Sequence, residues 1–124
     1  MFQPGDVIGF YIRELDKEKY HLCISLNGYY VFVSSQREIT YEGDLIVPCT
    51  EFPFLTPTES GLTRISCTRV LPITNRQLKA KTSLRKLGTV SKPLLLKIVE
   101  FIEGNPTIPE ETQETILTGL DDWL

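Results

Sequence analysis

The sequence predicts a mainly β fold with C-terminal α-helices, in the form of a small β-barrel with appended helices. Short runs rich in β-branched and aromatic residues occupy the chain as far as Ile73, and such runs favour strands. Asn27-Gly28 separates two of these runs, and this dipeptide is the strongest short-range signal of a β-hairpin. Apolar residues recur at helical spacing only beyond Ser91, which restricts the longer helices to the C-terminal part.

Five strands are predicted, separated by turn-forming and charged residues. The hairpin at Asn27-Gly28 makes the second and third strands antiparallel neighbours. The charged residues 13–19, the polar residues 36–43 and the proline-containing residues 52–61 are predicted to be loops and turns. In the last of these loops, Phe52 and Phe54 are predicted to anchor in the core. The predicted strands are residues 7–12, 21–26, 29–34, 44–50 and 62–73.

Helix signals follow the last strand. Thr74 is a good N-cap for a short helical turn through Leu78, and Ser91 is a good N-cap for a helix that ends at Gly104. Thr107-Ile108-Pro109-Glu110 has the pattern of a capping box that begins a second helix. The apolar stripe of that second helix comprises Ile116, Leu117, Leu120, Trp123 and Leu124.

The two parts of the chain differ in charge. Residues 1–102 contain 13 basic and 10 acidic residues, a net charge of +3, whereas residues 103–124 contain six acidic residues and no basic one. A modestly basic body is compatible with nucleic acid but does not argue for it. We expect residues 1–104 to form the barrel domain, including a helix at 91–103. Residues 105–124 then form an acidic amphipathic helix, which either completes that domain or acts as an autoinhibitory tail.

Length and composition bound the class of protein. A chain of 124 residues with 41% hydrophobic and 23% charged residues is typical of one globular domain. The first residues lack the pattern of a signal peptide, and no apolar run approaches the ~18 residues that span a bilayer, so we expect a cytoplasmic protein without membrane contact. Cys23, Cys49 and Cys67 lack CxxC spacing and His21 is the single histidine, so we expect no metal and no cofactor.

Four short motifs follow one another in an informative order. The first two are Pro4-Gly5-Asp6-Val7 near the start and Val47-Pro48-Cys49-Thr50 in the middle. A predicted strand then ends in Cys67-Thr68-Arg69-Val70-Leu71-Pro72-Ile73. The last motif is Lys86-Leu87-Gly88-Thr89-Val90-Ser91, which precedes an apolar helix. This order resembles the MazF/PemK family of toxins, in the CcdB/PemK-like barrel superfamily. The resemblance covers nearly the whole chain and implies an SH3-like β-barrel that forms a homodimer. It also implies the toxin of a type II toxin–antitoxin pair, a metal-independent endoribonuclease that cleaves single-stranded RNA, with a cognate antitoxin protein as partner.

A metal-free ribonuclease needs a general base near the 2′-hydroxyl, a cation for the phosphorane and an acid for the leaving oxygen. Matching Ser25 to the end of the family's second strand puts Lys19 or Tyr20 where the family's catalytic Arg-Pro pair stands. Neither residue is an arginine, and a lysine neutralises a phosphate without the bidentate fork of a guanidinium. His21 is a further candidate, as a base or acid near neutral pH. Its alternative role is that of a partly buried strand histidine.

Two candidates compete for the hydroxyl that the family carries at the end of a neighbouring strand. The sequence match to Val47-Pro48-Cys49-Thr50 nominates Thr50, whereas the hairpin topology nominates Ser34 or Ser35. The alternative role of each is to cap the turn that follows its strand.

Three residues are candidates for RNA binding. Arg69 falls where the family often carries a polar residue facing the substrate, and Arg64 is a candidate partner for it on phosphate. Tyr20 is a candidate for stacking on a base. The function alternative to an endoribonuclease is a non-catalytic PemK-like barrel that acts as a protein-binding module or inhibits a partner protein, and the missing arginine is the feature that discriminates between them.

Overall fold

The computed structural model describes residues 2–35 and 43–123. Within these residues, six antiparallel strands form one sheet and three α-helices are present. The strands are β1 (Asp6–Ile12), β2 (Lys17–Ser25), β3 (Tyr29–Ser35), β4 (Leu45–Pro48), β5 (Leu62–Pro72) and β6 (Thr82–Thr89). The helices are α1 (Asn75–Lys79), α2 (Lys92–Ile102) and α3 (Glu110–Trp123). The predicted mainly β fold with C-terminal helices is confirmed.

The sheet has the strand order β4-β5-β3-β2-β1-β6. The predicted hairpin is confirmed, since β2 and β3 pair with Leu22 opposite Val31. Gly28 has a φ of 81° at the turn, a conformation that a side chain would disfavour. β4 pairs with β5, which also pairs with β3. The turn predicted over residues 36–43 lies, except for Gly43, outside the described residues.

β6 is a strand that the sequence pattern did not predict. It pairs with the outer side of β1 and places Arg85 opposite Gly9. Most of its residues are polar and exposed, so they lack the apolar alternation that marks a half-buried strand. The start of β2 was missed for the same reason, because Lys17 pairs with Ile12 inside the charged run that was predicted to be a loop.

The loop between β4 and β5 packs on the core and reaches β6. β4 ends at Pro48, earlier than predicted, and the chain then forms a 3-10 turn over Cys49–Glu51. Both predicted anchors are confirmed, because Phe52 is 1% exposed and Phe54 packs against the same core. The Phe54 ring covers Gly88 of β6, where an added Cβ would lie 2.3 Å from a ring carbon. A loop that begins at one edge strand therefore contacts the edge strand at the other side.

Apolar side chains pack on both faces of the sheet. Successive residues of β2 serve different cores, as the strand repeat requires. The larger core includes Leu22, Ile24, Val31, Ile65, Leu95, Ile98, Ile116 and Leu120, and so joins the sheet to α2 and α3. The smaller core includes Ile8, Phe10, Cys23, Tyr30 and Leu78, and so joins the sheet to α1.

α1 and α2 begin where the sequence predicts, whereas α3 begins at Glu110, and the capping box predicted from Thr107 is not formed because the Thr107 hydroxyl donates to Asn105 Oδ1 instead. The Thr74 side chain accepts a hydrogen bond from the Gln77 backbone N–H at 3.1 Å, and Ser91 accepts one from Leu94 N–H at 3.3 Å. α3 lies on the β2–β3 hairpin, where Asn27 Nδ2 donates to the Thr115 carbonyl oxygen at 2.7 Å. Its predicted stripe is buried or half-buried at Ile116, Leu117, Leu120 and Trp123, whereas Leu124 lies outside the described residues. No helix in the described part of the chain is both long and apolar enough to cross a membrane.

Candidate functional site

An open cavity of about 340 Å³ lies where β2 begins, beside the end of β3 and the loop after β4. The described residues that line it differ in chemistry. Lys17, Glu18 and Lys19 are the charged residues among the described lining residues. The hydroxyl-bearing residues are Tyr20, Ser34, Thr56, Thr58 and Thr63, and the rest of the lining is formed by Val33, Cys49, Phe52, Leu55 and Pro57.

Strand pairing brings two of the candidate catalytic residues together. Tyr20 of β2 pairs with Val33 of β3, and Lys19 and Ser34 are the next residues on these antiparallel strands. Both line the cavity. The Ser34 hydroxyl oxygen is buried and has no hydrogen-bond partner among the described residues. The side chain of Ser35 lies outside the described residues, so Ser34 is the hydroxyl that the structure places beside Lys19.

Arg85 of β6 binds the Glu18 carboxylate. Arg85 Nε donates to Glu18 Oε2 at 2.8 Å and Nη2 donates to Oε1 at 2.6 Å, a bidentate pair in which both groups are charged. These hydrogen bonds, followed by the Arg85 charge and a hydrogen bond from Tyr20, lower the pKa of Glu18 against the opposing effect of burial. The carboxylate is therefore ionised at neutral pH.

Gly9 makes room for this pair. β1 lies between β2 and β6, and Gly9 is paired with Tyr20 on one side and Arg85 on the other. A Cβ on Gly9 would lie 2.8 Å from Glu18 Oε2 and 2.9 Å from its Cδ, closer than side chains tolerate. The Glu18 carboxylate thus occupies the space that any other residue at position 9 would fill.

His21 is not brought to the cavity. Its ring stacks on Phe10 with centroids 4.6 Å apart and lies 4.6 Å from the ring of Phe32, on the face of the smaller core. The residue is 2% exposed, and Nδ1 has no hydrogen-bond partner in the described part of the chain. Burial, with the charge of Lys81, lowers the pKa of His21 to about 4. The placement matches the alternative role of a buried strand histidine.

The remaining candidates lie elsewhere. Thr50 is exposed in the 3-10 turn and is not among the described residues that line the cavity. Arg64 is half-buried, with Nε 3.8 Å from Asp44 Oδ2. Arg69 lines a separate cavity of about 280 Å³ together with Thr112 of α3. The structure therefore does not bring Arg64 and Arg69 to the cavity that contains Lys19.

The three cysteines are buried or half-buried. Cys23 and Cys67 are buried, which raises the pKa of their thiols to about 11 and about 12. Cys49 is half-buried at the cavity. Over residues 2–35 and 43–123, histidine, cysteine and carboxylate side chains nowhere gather in a group of three or more that could hold a metal ion.

Glu18 and Arg85 are the residues of this site that sequence reasoning missed. Glu18 fell in a charged run that was read as a loop, and Arg85 belongs to the strand that was not predicted. One signal pointed towards them: Gly9 interrupts an otherwise apolar strand, and a glycine inside a strand often marks a close approach by another group.

The arrangement suits a ligand that joins an anionic group to a flat, partly apolar one. Lysine ammonium groups bind phosphate as point charges, hydroxyls donate hydrogen bonds to its oxygens, and an aromatic side chain contacts a base.

Among the known proteins, no family model matches this chain, and no protein of curated function is significantly similar to it in sequence.

Proposed function

We propose that this protein is the toxin of a type II toxin–antitoxin pair, a metal-independent endoribonuclease that cleaves single-stranded RNA at the cavity beside Lys19 and Ser34. The observation that carries the proposal is that these two residues, nominated separately by the resemblance to MazF/PemK toxins and by the hairpin topology, line one open cavity with Tyr20. Its volume of about 340 Å³ accommodates a group of nucleotide size.

The residues take distinct roles on the substrate. The Lys19 ammonium neutralises the scissile phosphate as negative charge develops on the phosphorane. The Ser34 hydroxyl donates a hydrogen bond to a non-bridging phosphate oxygen. Tyr20 contacts an adjacent base, which must be unstacked to reach the cavity, and this requirement favours single-stranded over double-stranded RNA. His21 and Thr50 have no part in this scheme, because neither lies at the cavity.

The proposal includes the partners and location that the resemblance implies. The protein acts in the cytoplasm as a homodimer and is held inactive by a cognate antitoxin protein. Arg64 and Arg69 are outside the cleavage cavity, so a role for either on RNA is limited to more distant phosphates.

A second candidate function is a non-catalytic PemK-like barrel that binds a partner protein. It is favoured by one observation: neither an arginine nor a histidine is present among the described residues that line the cavity. Such a protein would bind through this surface without cutting RNA.

The test is incubation of the purified full chain with an unstructured RNA of mixed sequence, in EDTA, followed by analysis of the product ends. The proposal expects fragments with a cyclic phosphate and a 5′-hydroxyl, and no cleavage of the matching DNA, which lacks the 2′-hydroxyl. RNA that remains intact at an enzyme excess would overturn the ribonuclease proposal. In that case, arrest of growth on expression would favour the protein-binding alternative.

A further inference from the structure

We infer that Arg76, Lys79 and Lys81 form a phosphate-binding surface, which we call the α1 surface, and that single-stranded RNA continues along it beyond the cavity at Lys19. The inference rests on the proposed ribonuclease function and deepens it, because it names the path of the strand outside the cavity. Arg76 and Lys79 belong to α1, and Lys81 lies between α1 and β6.

The segment that forms α1 and the start of β6 is strongly basic. Residues 76–86 contain five of the 13 basic residues of the chain and no acidic residue. Two of these five cations are neutralised, since Arg85 pairs with Glu18 and Lys86 Nζ lies 3.2 Å from Asp6 Oδ1. The other three, which form the α1 surface, are exposed and make no ion pair within residues 2–35 and 43–123. Their charge is therefore available to an anionic partner.

Phe10 connects the α1 surface to Lys19. Strand pairing sets Phe10 opposite Lys19, and the side chains of directly paired residues project from the same face of a sheet. The Lys81 ammonium nitrogen lies 5.0 Å from the centroid of the Phe10 ring. His21 stacks on that ring, and its pKa is lowered chiefly by burial, then by the charge of Lys81 and also by that of Lys19. Lys81 and Lys19 therefore lie on one face of the sheet, beside the same buried ring.

α1 packs on that same face. Leu78 is fully buried in the smaller core, to which Phe10 also belongs. Arg76 and Lys79 stand near Leu78 in the helix and are exposed. Positions three apart are neighbours on the surface of a helix, so these two cations lie side by side on the solvent side of α1. The α1 surface thus extends the cationic face that begins at Lys19.

A polyanionic strand suits this surface better than a lipid bilayer does. Segments that lie on membranes combine cations with an apolar face. Among the described residues, the exposed large apolar side chains are Leu15, Leu26, Leu62, Leu96 and Phe101. None of them belongs to the basic segment 76–86, whose Leu78 is buried in the core. Cations that follow one another along a surface neutralise the phosphates of a nucleic acid, and Lys19 lies at the cavity proposed for the scissile phosphate.

The test measures the binding of an uncleavable RNA, an unstructured strand with 2′-O-methyl groups, to the full chain at several salt concentrations. Each lysine or arginine contact with a phosphate of a single strand adds about 0.7 to the slope of log affinity against log salt. Arg76→Gln/Lys79→Gln should therefore reduce the slope by about 1.4. Lys81→Gln should reduce it by about 0.7.

Lys92→Gln/Lys97→Gln is the matched control for the variant with two substitutions in α1. Both lysines are exposed cations of α2, a helix that packs on the larger core. The change in net charge is the same in the two variants. We expect the control to keep the wild-type slope, because its cations lie outside the proposed path.

Thermal melting establishes that each variant is folded. If Lys81→Gln does not fold, because the ammonium group over Phe10 is lost, Arg76→Gln/Lys79→Gln decides, since both of its side chains are exposed. A folded Arg76→Gln/Lys79→Gln protein with the wild-type slope overturns the inference, and so does an equal loss of slope in the control. Unchanged RNA binding together with charge-dependent binding to phosphatidylserine vesicles would assign the α1 surface to a membrane instead.

The inference and the ribonuclease proposal fail in different ways. Wild-type protein that cleaves ordinary RNA, while Arg76→Gln/Lys79→Gln keeps the full slope, overturns the inference and supports the ribonuclease. Wild-type protein that binds the uncleavable strand through the α1 surface but cleaves no RNA supports the binding surface and overturns the ribonuclease. Wild-type protein that does not bind the strand overturns both.

Discussion

Gly119 of α3 lies so close to Ser25, the last residue of β2, that a Cβ on the glycine would stand 2.1 Å from the serine hydroxyl oxygen. The same Cβ would lie 2.8 Å from Asn27 Nδ2. Ser25 is fully buried, and its hydroxyl oxygen accepts a hydrogen bond from the Asn27 backbone N–H at 3.2 Å. Glycine at this position therefore lets α3 approach the hairpin, although glycine disfavours a helix by about 1 kcal/mol relative to alanine.

Gly119→Ala should lower the free energy of unfolding by about 1–3 kcal/mol, because the overpacking cost exceeds the gain in helix propensity. Urea denaturation measures the change. Glu114→Ala, at an exposed position of the same helix, is the control and should change the free energy by less than about 0.5 kcal/mol. A Gly119→Ala protein more stable than the wild type would contradict the close packing of α3 on β2.

Removal of residues 107–124 should destabilise the protein and should not increase RNA binding. The fully buried Ile116 belongs to the larger core, and α3 contributes no described residue to the cavity at the start of β2. Ile116→Ala, a milder change, should cost about 2–5 kcal/mol. Fluorescence-detected unfolding and titration with single-stranded RNA measure the two effects. A well-folded truncated protein with tighter RNA binding would instead favour the autoinhibitory tail.

The free energy of unfolding should fall as the pH drops from about 6.5 to about 4, in part because of His21. The unfolded chain protonates its histidine near pH 6.5, whereas burial keeps the pKa of His21 at about 4 in the folded protein. The unfolded state therefore binds more protons in this window, which costs about 3 kcal/mol of stability by pH 4 and nothing above about pH 7.

His21→Phe isolates this contribution, because it keeps a flat ring between Phe10 and Phe32 but does not titrate. The difference in unfolding free energy between variant and wild type should grow in favour of the variant as the pH falls through the window. Parallel curves for the two proteins would mean that His21 is not buried in its neutral form. Since His21 is not at the cavity, we also expect RNA cleavage by this variant to match that of the wild type.

Lys19→Ala should weaken RNA binding and reduce its salt dependence. Each lysine–phosphate contact with single-stranded RNA adds about 0.7 to the slope of log affinity against log salt, so the variant should show a slope smaller by about that amount. Lys97→Ala, on the exposed side of α2, should leave the slope unchanged. Equal slopes for the wild type and Lys19→Ala would remove Lys19 from the RNA-binding site.

Ser34→Ala should lower cleavage, and Thr50→Ala should not, because the first hydroxyl is buried beside Lys19 and the second lies on the exposed 3-10 turn. Loss of one hydrogen bond to a developing charge typically costs about a hundredfold to a thousandfold in rate. Single-turnover cleavage assays measure both variants. The opposite ranking would favour the sequence match at Val47-Pro48-Cys49-Thr50 over the topology of the hairpin.

The sequence by itself determined the elements whose signals are local. The hairpin follows from Gly28, whose positive φ closes a three-residue turn between the paired Ser25 and Tyr29. The starts of α1 and α2 follow from the capping side chains Thr74 and Ser91. The apolar stripe of α3 also predicted its buried face, since spacing along a helix fixes which residues share a side. These features depend on residues close together in the chain.

The tertiary structure alone decided the features that depend on distant pairing. β6 is stabilised as a strand by β1 and not by its own alternation, and so Arg85 reaches Glu18 only after the sheet has formed. Likewise, the His21 side chain is buried in the smaller core, where it stacks on Phe10. The local sequence does not show this burial, and His21 therefore does not line the cavity. Local sequence limits the conformation of each segment, whereas side-chain neighbours across strands are fixed by the register and packing of the whole sheet.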